Sequence, residues 1–176
     1  EERETLERLA VFRGGCQREA AQTVAKATLP LLARLIDKSL VRRRQTERQA
    51  RYELHEVIRQ YAGEKRRAAT PGLDNNQQVQ GLEQDEVWLA HYTYFYKLVA
   101  TARPHLYGGE QLQWLRVLDE EYANLRAALD RCLRTQDYAR GLQLANQLEE
   151  YWYIRGYHGE GLQRLLDFLN RDPAAL

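Results

Sequence analysis

The sequence predicts a mainly α-helical protein in two parts, the first containing a small β-hairpin and the second an array of antiparallel helical hairpins. Glycine and proline are scarce, at 11 and 4 of 176 residues, and the abundant Leu, Ala, Arg, Gln and Glu favour helix. Apolar residues recur at helical spacing through most of the chain. Residues 39–54 instead contain two short extended stretches around a polar loop, which is typical of paired strands.

The first part spans residues 1–69. Gly14-Gly15 ends its first segment, and Thr28 is a suitable N-cap for a helix with Pro30 in its first turn. The predicted elements in chain order are helices at 3–10, 17–27 and 29–38, strands at 39–44 and 51–54, and a helix at 55–68. Three helices, a hairpin and a closing helix are the outline of a winged helix.

The second part follows a predicted flexible linker at 70–84, which contains Pro71-Gly72 and four glutamines and has almost no apolar residues. Residues 85–176 are predicted to be a helical domain. Its segments are a long helix capped by Asp85 and closed by Pro104, a short helix from Glu110 to about Leu118, a helix continuing over 121–134, one from Asp137 to Gly156, and one at 159–170. Short connections between long amphipathic helices predict antiparallel αα-hairpins.

Composition narrows the classes of protein to consider. The two cysteines, Cys16 and Cys132, lie far apart, and the four histidines are scattered, so neither a disulfide framework nor a zinc site is expected. No apolar run approaches the roughly 18 to 20 residues that cross a bilayer, and the start is unlike a signal peptide. We therefore expect a cytoplasmic protein with reduced thiols, and a chain cut from a larger one.

Catalytic motifs are missing from the sequence. Gly14-Gly15 and Gly108-Gly109 lack the Lys and Ser/Thr of a phosphate-binding P-loop. The paired carboxylates, Glu120-Glu121 and Glu149-Glu150, are adjacent on predicted helices, where neighbouring side chains point apart. The sequence predicts no enzyme, no catalytic residue, no bound cofactor and no metal in this chain.

The charge is unevenly distributed. Residues 1–68 carry 16 Lys and Arg against 10 Asp and Glu, whereas the remainder is acidic. Five arginines along the predicted wing form a possible basic patch: Arg42, Arg43, Arg44, Arg48 and Arg51. They give a physical basis for a DNA-binding winged helix, although the helix at 29–38 offers only Arg34 and Lys38 as basic groups. The patch could instead face an acidic neighbouring domain or solvent.

Most aromatic residues of the second part fall at helical spacing and are expected to form the core between helices. Those near residues 151–157 could instead face the concave groove of a helical array. Tyr151, Tyr153 and Tyr157 are therefore candidate partner-binding residues.

Two kinds of sequence resemblance point to a known family. Around Leu148, Trp152, Gly161 and Leu165, the spacing resembles one tetratricopeptide repeat, with Phe168 where alanine is usual. Longer strings resemble the STAND-type signalling NTPases of bacteria: Leu9-Ala10-Val11-Phe12-x-Gly14-Gly15-Cys16, Leu35-Ile36-Asp37-Lys38-Ser39-Leu40-Val41, and the Gln111-x-x-Trp114-Leu115 segment that runs on to Asn124-Leu125-Arg126-Ala127-Ala128-Leu129. The resemblance implies a winged helix between a P-loop domain and a helical-repeat sensor.

One further match concerns a candidate ligand contact. Leu54-His55-Glu56 resembles the family's Met-His-Asp motif, in which the histidine contacts the phosphates of bound ADP. By this resemblance His55 would contact ADP only with the nucleotide-binding domain, and ADP or ATP is implied for the longer parent. The alternative is that His55 is a surface residue at a helix start.

Two functions follow as hypotheses. The first is a non-catalytic regulatory fragment whose winged helix couples the parent's own nucleotide-binding domain to an array that senses a protein or peptide ligand. The second is a DNA-binding winged-helix transcriptional regulator. Nucleic acid is the less favoured partner from the sequence, and no membrane contact is expected.

Overall fold

The computed structural model describes residues 1–46, 49–68 and 86–171. It is mostly helical with one small antiparallel sheet, which confirms the predicted fold class. The chain divides into two compact units, Glu1–Tyr94 and Phe95–Leu176. Among the described residues, no helix is long and apolar enough to cross a membrane. The predicted linker at 70–84 and the predicted cap Asp85 lie outside the described residues.

The first unit contains the predicted helices and hairpin. Its elements are α1 (Glu2–Leu9), β1 (Cys16–Gln17), α2 (Arg18–Ala25), α3 (Leu29–Asp37), β2 (Val41–Gln45), β3 (Ala50–Leu54) and α4 (Glu56–Ala68). Strands β2 and β3 pair in an antiparallel hairpin, with Val41 opposite Leu54. The sequence did not predict β1, which is two residues long and therefore shows no alternation. It pairs with the other edge of β3, so β3 is the central strand.

The loop before β1 lies directly against the sheet. Gly14 and Gly15 both have positive φ, at 69° and 79°, a region that favours glycine. A Cβ on Gly15 would come within 2.6 Å of the carbonyl oxygen of Tyr52 in β3. Only glycine at position 15 allows the loop to approach the central strand this closely.

Helix α5 (Glu86–Ala102) contributes to both units, and the boundary differs from the expected start of the second domain at residue 85. Its first half has Trp88, His91 and Tyr92 buried at helical spacing. The ring of His91 lies 5.5 Å from that of Phe12, centroid to centroid. These contacts place the first half of α5 in the core of the first unit.

The second unit continues from α5 through helices joined by short connections. They are a 3₁₀ turn at Arg103–His105, α6 (Gln111–Arg134), α7 (Tyr138–Arg155) and α8 (His158–Leu169). Asp137 is the N-cap of α7 and accepts a hydrogen bond from the backbone N–H of Arg140 at 3.2 Å. Gly156, at φ 71°, ends the same helix.

The predicted break after Leu118 was wrong, because α6 runs uninterrupted from residue 111 to 134. No glycine or proline interrupts this stretch, and Asp119-Glu120 can continue a helix. Its buried face repeats at helical spacing across the expected break, and comprises Leu115, Leu118, Glu121, Asn124, Leu125, Ala128, Leu129 and Cys132. Of the strings that resemble the STAND-type family, the one from Gln111 to Leu129 therefore consists largely of residues on the buried face of one long helix.

Helices α7 and α8 form a tightly packed hairpin. A Cβ on Gly161 would lie 2.7 Å from Cε3 of Trp152, so the indole of α7 rests on the backbone of α8. Small residues at such positions allow two helices to approach closely. The two cysteines are buried, one in each unit, and neither forms a disulfide; burial raises the pKa of Cys132 to about 12.

Candidate functional site

Helices α2 and α3 are joined by a three-residue turn, Lys26–Thr28. Lys26 ends α2 in the left-handed conformation, at φ 56°, and the N–H of Ala27 donates to the carbonyl of Ala21 at 3.1 Å. Thr28 is the N-cap of α3, as predicted, but its side chain makes no capping hydrogen bond. Two short helices separated by such a turn, followed by a hairpin, are the arrangement in which α3 would enter a DNA groove.

The exposed face of α3 carries few groups that could read DNA bases. Two cations, Arg34 on this helix and Lys38 directly after its end, are both ion-paired with Glu2 at the start of α1. The Nε atom of Arg34 lies 3.3 Å from one carboxylate oxygen of Glu2. The other oxygen of Glu2 accepts a hydrogen bond from Lys38. Leu29 is exposed at the beginning of the helix. The helix contains no Asn or Gln that could pair with adenine.

The hairpin presents a row of exposed arginines on its edge strand β2. Arg42, Arg43 and Arg44 are all exposed, and they alternate between the two faces of the strand. Arg44 pairs across the hairpin with Glu53 at 3.0 Å. Among the described residues, no carboxylate is ion-paired with Arg42 or Arg43. Arg48, the fourth residue of the predicted patch, lies outside the described residues.

Arg51 does not belong to this exposed patch, contrary to the sequence-based prediction. It is only 2% exposed, because it lies on the central strand β3 beneath the glycine loop. Its guanidinium donates to the carbonyl oxygens of Gly14 at 2.7 Å and Gly15 at 3.0 Å. Arg51 therefore holds the loop against the sheet.

The start of α4 carries the candidate nucleotide contact. His55 is exposed and directly precedes the helix, and its carbonyl accepts a hydrogen bond from the N–H of Arg59. Glu56 follows in the first turn and accepts hydrogen bonds from Arg59 and Gln60. These bonds, together with the charge of Arg13, lower the pKa of Glu56 to about 2. The N-terminus of α4 therefore already has the carboxylate of Glu56 beside it, at the position next to His55 in the chain.

A shallow cleft of about 260 Å³ lies beside this helix start. The glycine loop, β3 and the first turn of α4 line it, and its charged groups include Arg44, Glu53 and Arg59. Its arginines are ion-paired with Glu53 or Glu56. His55 does not line the cleft, so the two candidate features of this region are separate.

In the second unit, the three candidate tyrosines do not share one surface. Tyr151 is 1% exposed, and its hydroxyl donates to Asp119 at 2.9 Å. Its prediction as a partner-binding residue is therefore wrong, because it is a core residue. Tyr153 is 69% exposed, and Tyr157 is exposed while stacking on Tyr122.

The sequence contained a signal against the grouping of Tyr151 with Tyr153. Residues two apart on an α-helix point about 200° from each other. Tyr151 and Tyr153 both lie on α7 and therefore face opposite sides. Burial raises the pKa of Tyr151 above its ordinary value, as it does for Tyr122.

Comparison with known families agrees with the arrangement of the first unit. Residues 1–67 match the model of the winged helix-turn-helix domain. The first unit contains a winged helix. The match ends within α4, so it covers the helix-turn-helix, the wing and most of the closing helix.

Similar proteins extend the comparison beyond the winged helix. Three relatives carry the name "Putative HTH-type transcriptional regulator": one from Mycobacterium bovis (strain ATCC BAA-935 / AF2122/97) and two from Mycobacterium tuberculosis (strains CDC 1551 / Oshkosh and ATCC 25618 / H37Rv). Each is 31% identical over an alignment 162 positions long, and the alignment covers 88% of this chain and 17% of the relative. This chain therefore spans about a sixth of the length of these relatives. No solved structure gives a significant match.

Sequence reasoning missed the acidic partners of Arg34 and Lys38. Glu1 and Glu2 lie more than 30 residues before Arg34, and only the fold brings them together. The signal available in the sequence was the acidic first turn of α1. Acidic residues are favourable at any helix N-terminus, so this signal did not indicate a contact with another helix. Within the described residues, no group of His, Cys, Asp and Glu is arranged to hold a metal ion.

Proposed function

We propose that this chain is a non-enzymatic part of a transcriptional regulator and that its winged helix contacts DNA. The observation that carries the proposal is the row Arg42, Arg43 and Arg44, exposed on the wing that follows a helix-turn-helix. Wing arginines beside α3 would meet the phosphates on either side of a groove. The names of the three relatives favour the same role.

The chemistry of this surface favours contact with the DNA backbone over recognition of bases. Guanidinium groups bind phosphate well, and phosphate contacts supply affinity without sequence information. Since α3 lacks Asn and Gln, and its Arg34 is ion-paired with Glu2, we expect this winged helix to bind duplexes of different sequence with similar affinity. Sequence selection by the parent protein would then require other parts of that protein.

The salt dependence of DNA binding tests this proposal. Fluorescence anisotropy with a short labelled duplex should show an affinity that falls steeply as salt increases. The double variant Arg42→Gln, Arg43→Gln should reduce the slope of log K against log salt concentration by about 2, because each lost phosphate contact removes nearly one unit. A charge-matched control is Arg116→Gln, Arg134→Gln on α6, which should leave the slope unchanged. Absence of binding at low salt would contradict the proposal.

A second candidate function is the coupling role implied by the resemblance to STAND-type NTPases. Two observations favour it: His55 is exposed at the start of α4, and α3 is charge-neutralised by Glu1 and Glu2. In this proposal the winged helix contacts a nucleotide-binding domain elsewhere in the parent, His55 approaches the phosphates of ADP, and a tetratricopeptide-like array binds a protein or peptide.

The retention of ADP by the full-length parent separates the two candidates. Under the coupling proposal, His55→Ala weakens retention because one donor to the phosphates is lost. Val57→Ala, at an exposed position in the first turn of α4, serves as the control. Equal retention of ADP by both variants would favour the alternative that His55 is a surface residue at a helix start.

A further inference from the structure

The first turn of α1 makes ion pairs with the reading helix of the winged helix. Glu2 binds Lys38 and lies 3.3 Å from the Nε atom of Arg34, measured to its Oε1 atom. Glu1 adds a longer contact of 3.8 Å to the guanidinium of Arg34. Arg34 of α3, and Lys38 at the C-terminal end of α3, are therefore held by carboxylates at the start of α1.

The other acidic residues of α1 are paired within their own helix. Glu4 binds Arg8 at 3.1 Å, and Glu7 binds Arg3 at 2.8 Å, both at the i,i+4 spacing. Of the acidic residues at the start of the chain and in α1, all of them described, only Glu1 and Glu2 make ion pairs with residues outside α1. The Lys38 contact also holds the pKa of Glu2 below its ordinary value, so Glu2 is ionised at neutral pH.

We propose that Glu2, assisted by Glu1, is an intramolecular competitor of DNA phosphate for Arg34 on α3 and for Lys38 at the end of that helix. This inference rests on the proposed function of the winged helix as a DNA-contacting domain. In the free protein, the carboxylates of Glu1 and Glu2 are ion-paired with Arg34 and Lys38. On DNA the phosphates displace them, and the freed carboxylates are then close to the anionic backbone. The wing arginines, whose charges are not held by α1, make the first contact.

The contact is suited to reversible competition. The Arg34, Lys38 and Glu2 side chains are all partly exposed, at 52%, 57% and 29% of their side-chain area. Ion pairs at this exposure contribute little net free energy, because water and salt screen them. Phosphate can therefore displace the carboxylate at small cost, and the effect on affinity is expected to be graded.

The variant Glu2→Gln tests the competition directly in the whole chain. Duplex affinity, measured by fluorescence anisotropy, should rise about two- to fivefold, in line with the range measured for exposed ion pairs. The salt slope should increase by up to about 1, because the variant has no freed Glu2 carboxylate beside the DNA backbone to retain a cation there. The matched control is Glu4→Gln, which removes the same charge from the same helix but from a pair with Arg8. It should change the affinity less than Glu2→Gln does.

A second variant separates competition from a general charge effect. Arg34→Gln should have little effect on affinity in the wild-type background, where Glu2 holds Arg34. In the Glu2→Gln background, the same substitution should remove much of the gain. Thermal unfolding of each variant serves as the test that the fold is retained.

Two outcomes distinguish failure of this inference from failure of the proposed function. If the wild-type chain binds duplex with a salt-dependent affinity, but Glu2→Gln and Glu4→Gln behave alike, the competition is refuted and the DNA contact stands. If neither the wild-type chain nor Glu2→Gln binds duplex at low salt, both proposals are refuted.

Discussion

Phe168 in α8 fills the space that a side chain on Gly141 of α7 would need. A Cβ at position 141 would lie 2.1 Å from Cε1 of the Phe168 ring, well inside contact distance. Both residues are buried, and Phe168 is fully enclosed. The large residue at 168, where the resembling repeat has alanine, is thus accommodated by a glycine on the facing helix.

The first prediction follows from this packing. Gly141→Ala should lower the free energy of unfolding by about 1 to 3 kcal/mol, because the added methyl group overpacks a rigid contact. Urea unfolding followed by circular dichroism measures the change. The control is Gly159→Ala in α8, where a Cβ would meet no atom within 4 Å. That substitution should be neutral or stabilising, since alanine favours helix. Equal destabilisation by both changes would contradict the packing argument.

The fold class was predictable because helical spacing and turn residues are local signals, whereas the misplaced site residues depend on long-range contacts. Arg51 resembles its arginine neighbours in sequence, yet it is buried because β1 makes β3 a central strand. A two-residue strand leaves no periodic pattern, so neither β1 nor the burial of Arg51 could be expected. Arg42 and Arg43, on the edge strand, are exposed as the sequence indicated.

The second prediction concerns this buried arginine. Arg51→Gln should lower the free energy of unfolding by about 2 to 3 kcal/mol, because the carbonyls of Gly14 and Gly15 lose charged donors. Thermal or urea unfolding provides the measurement. Arg43→Gln on the exposed edge strand removes the same charge and should change stability by less than about 0.5 kcal/mol. A similar small effect for both would mean that Arg51 does not anchor the loop.

The third prediction concerns pH. The folded-state pKa of Glu56 is about 2, below its unfolded value of about 4.5, so its contribution to stability is present above pH 4.5 and is lost as the pH falls towards 2. Because Glu56 is exposed, Glu56→Gln should lower stability by no more than about 1 kcal/mol at pH 7. Urea unfolding at pH 7 and at pH 2 should show that most of the difference between wild type and variant is lost in acid. A constant difference would exclude the carboxylate as its source.

The fourth prediction separates the tyrosines of α7. Tyr151→Phe should lower stability by about 1 kcal/mol, because the hydrogen bond to Asp119 is lost from the core. Tyr153→Phe, on the exposed side of the helix, should be neutral. Thermal unfolding of the two variants provides the comparison. If Tyr153→Phe proved the more destabilising, Tyr153 would belong to the core.

Each of the two units contains one enclosed thiol, and this gives the chain a natural pair of local probes. A maleimide or iodoacetamide reagent reaches Cys16 only when the first unit opens and Cys132 only when the second does. The labelling rate of each cysteine, read by mass spectrometry of the peptides, therefore reports the opening free energy of its own unit. The two labelling rates, measured with and without duplex DNA, would show whether binding at the wing slows the opening of the first unit alone or also that of the second. No substitution is needed for this experiment.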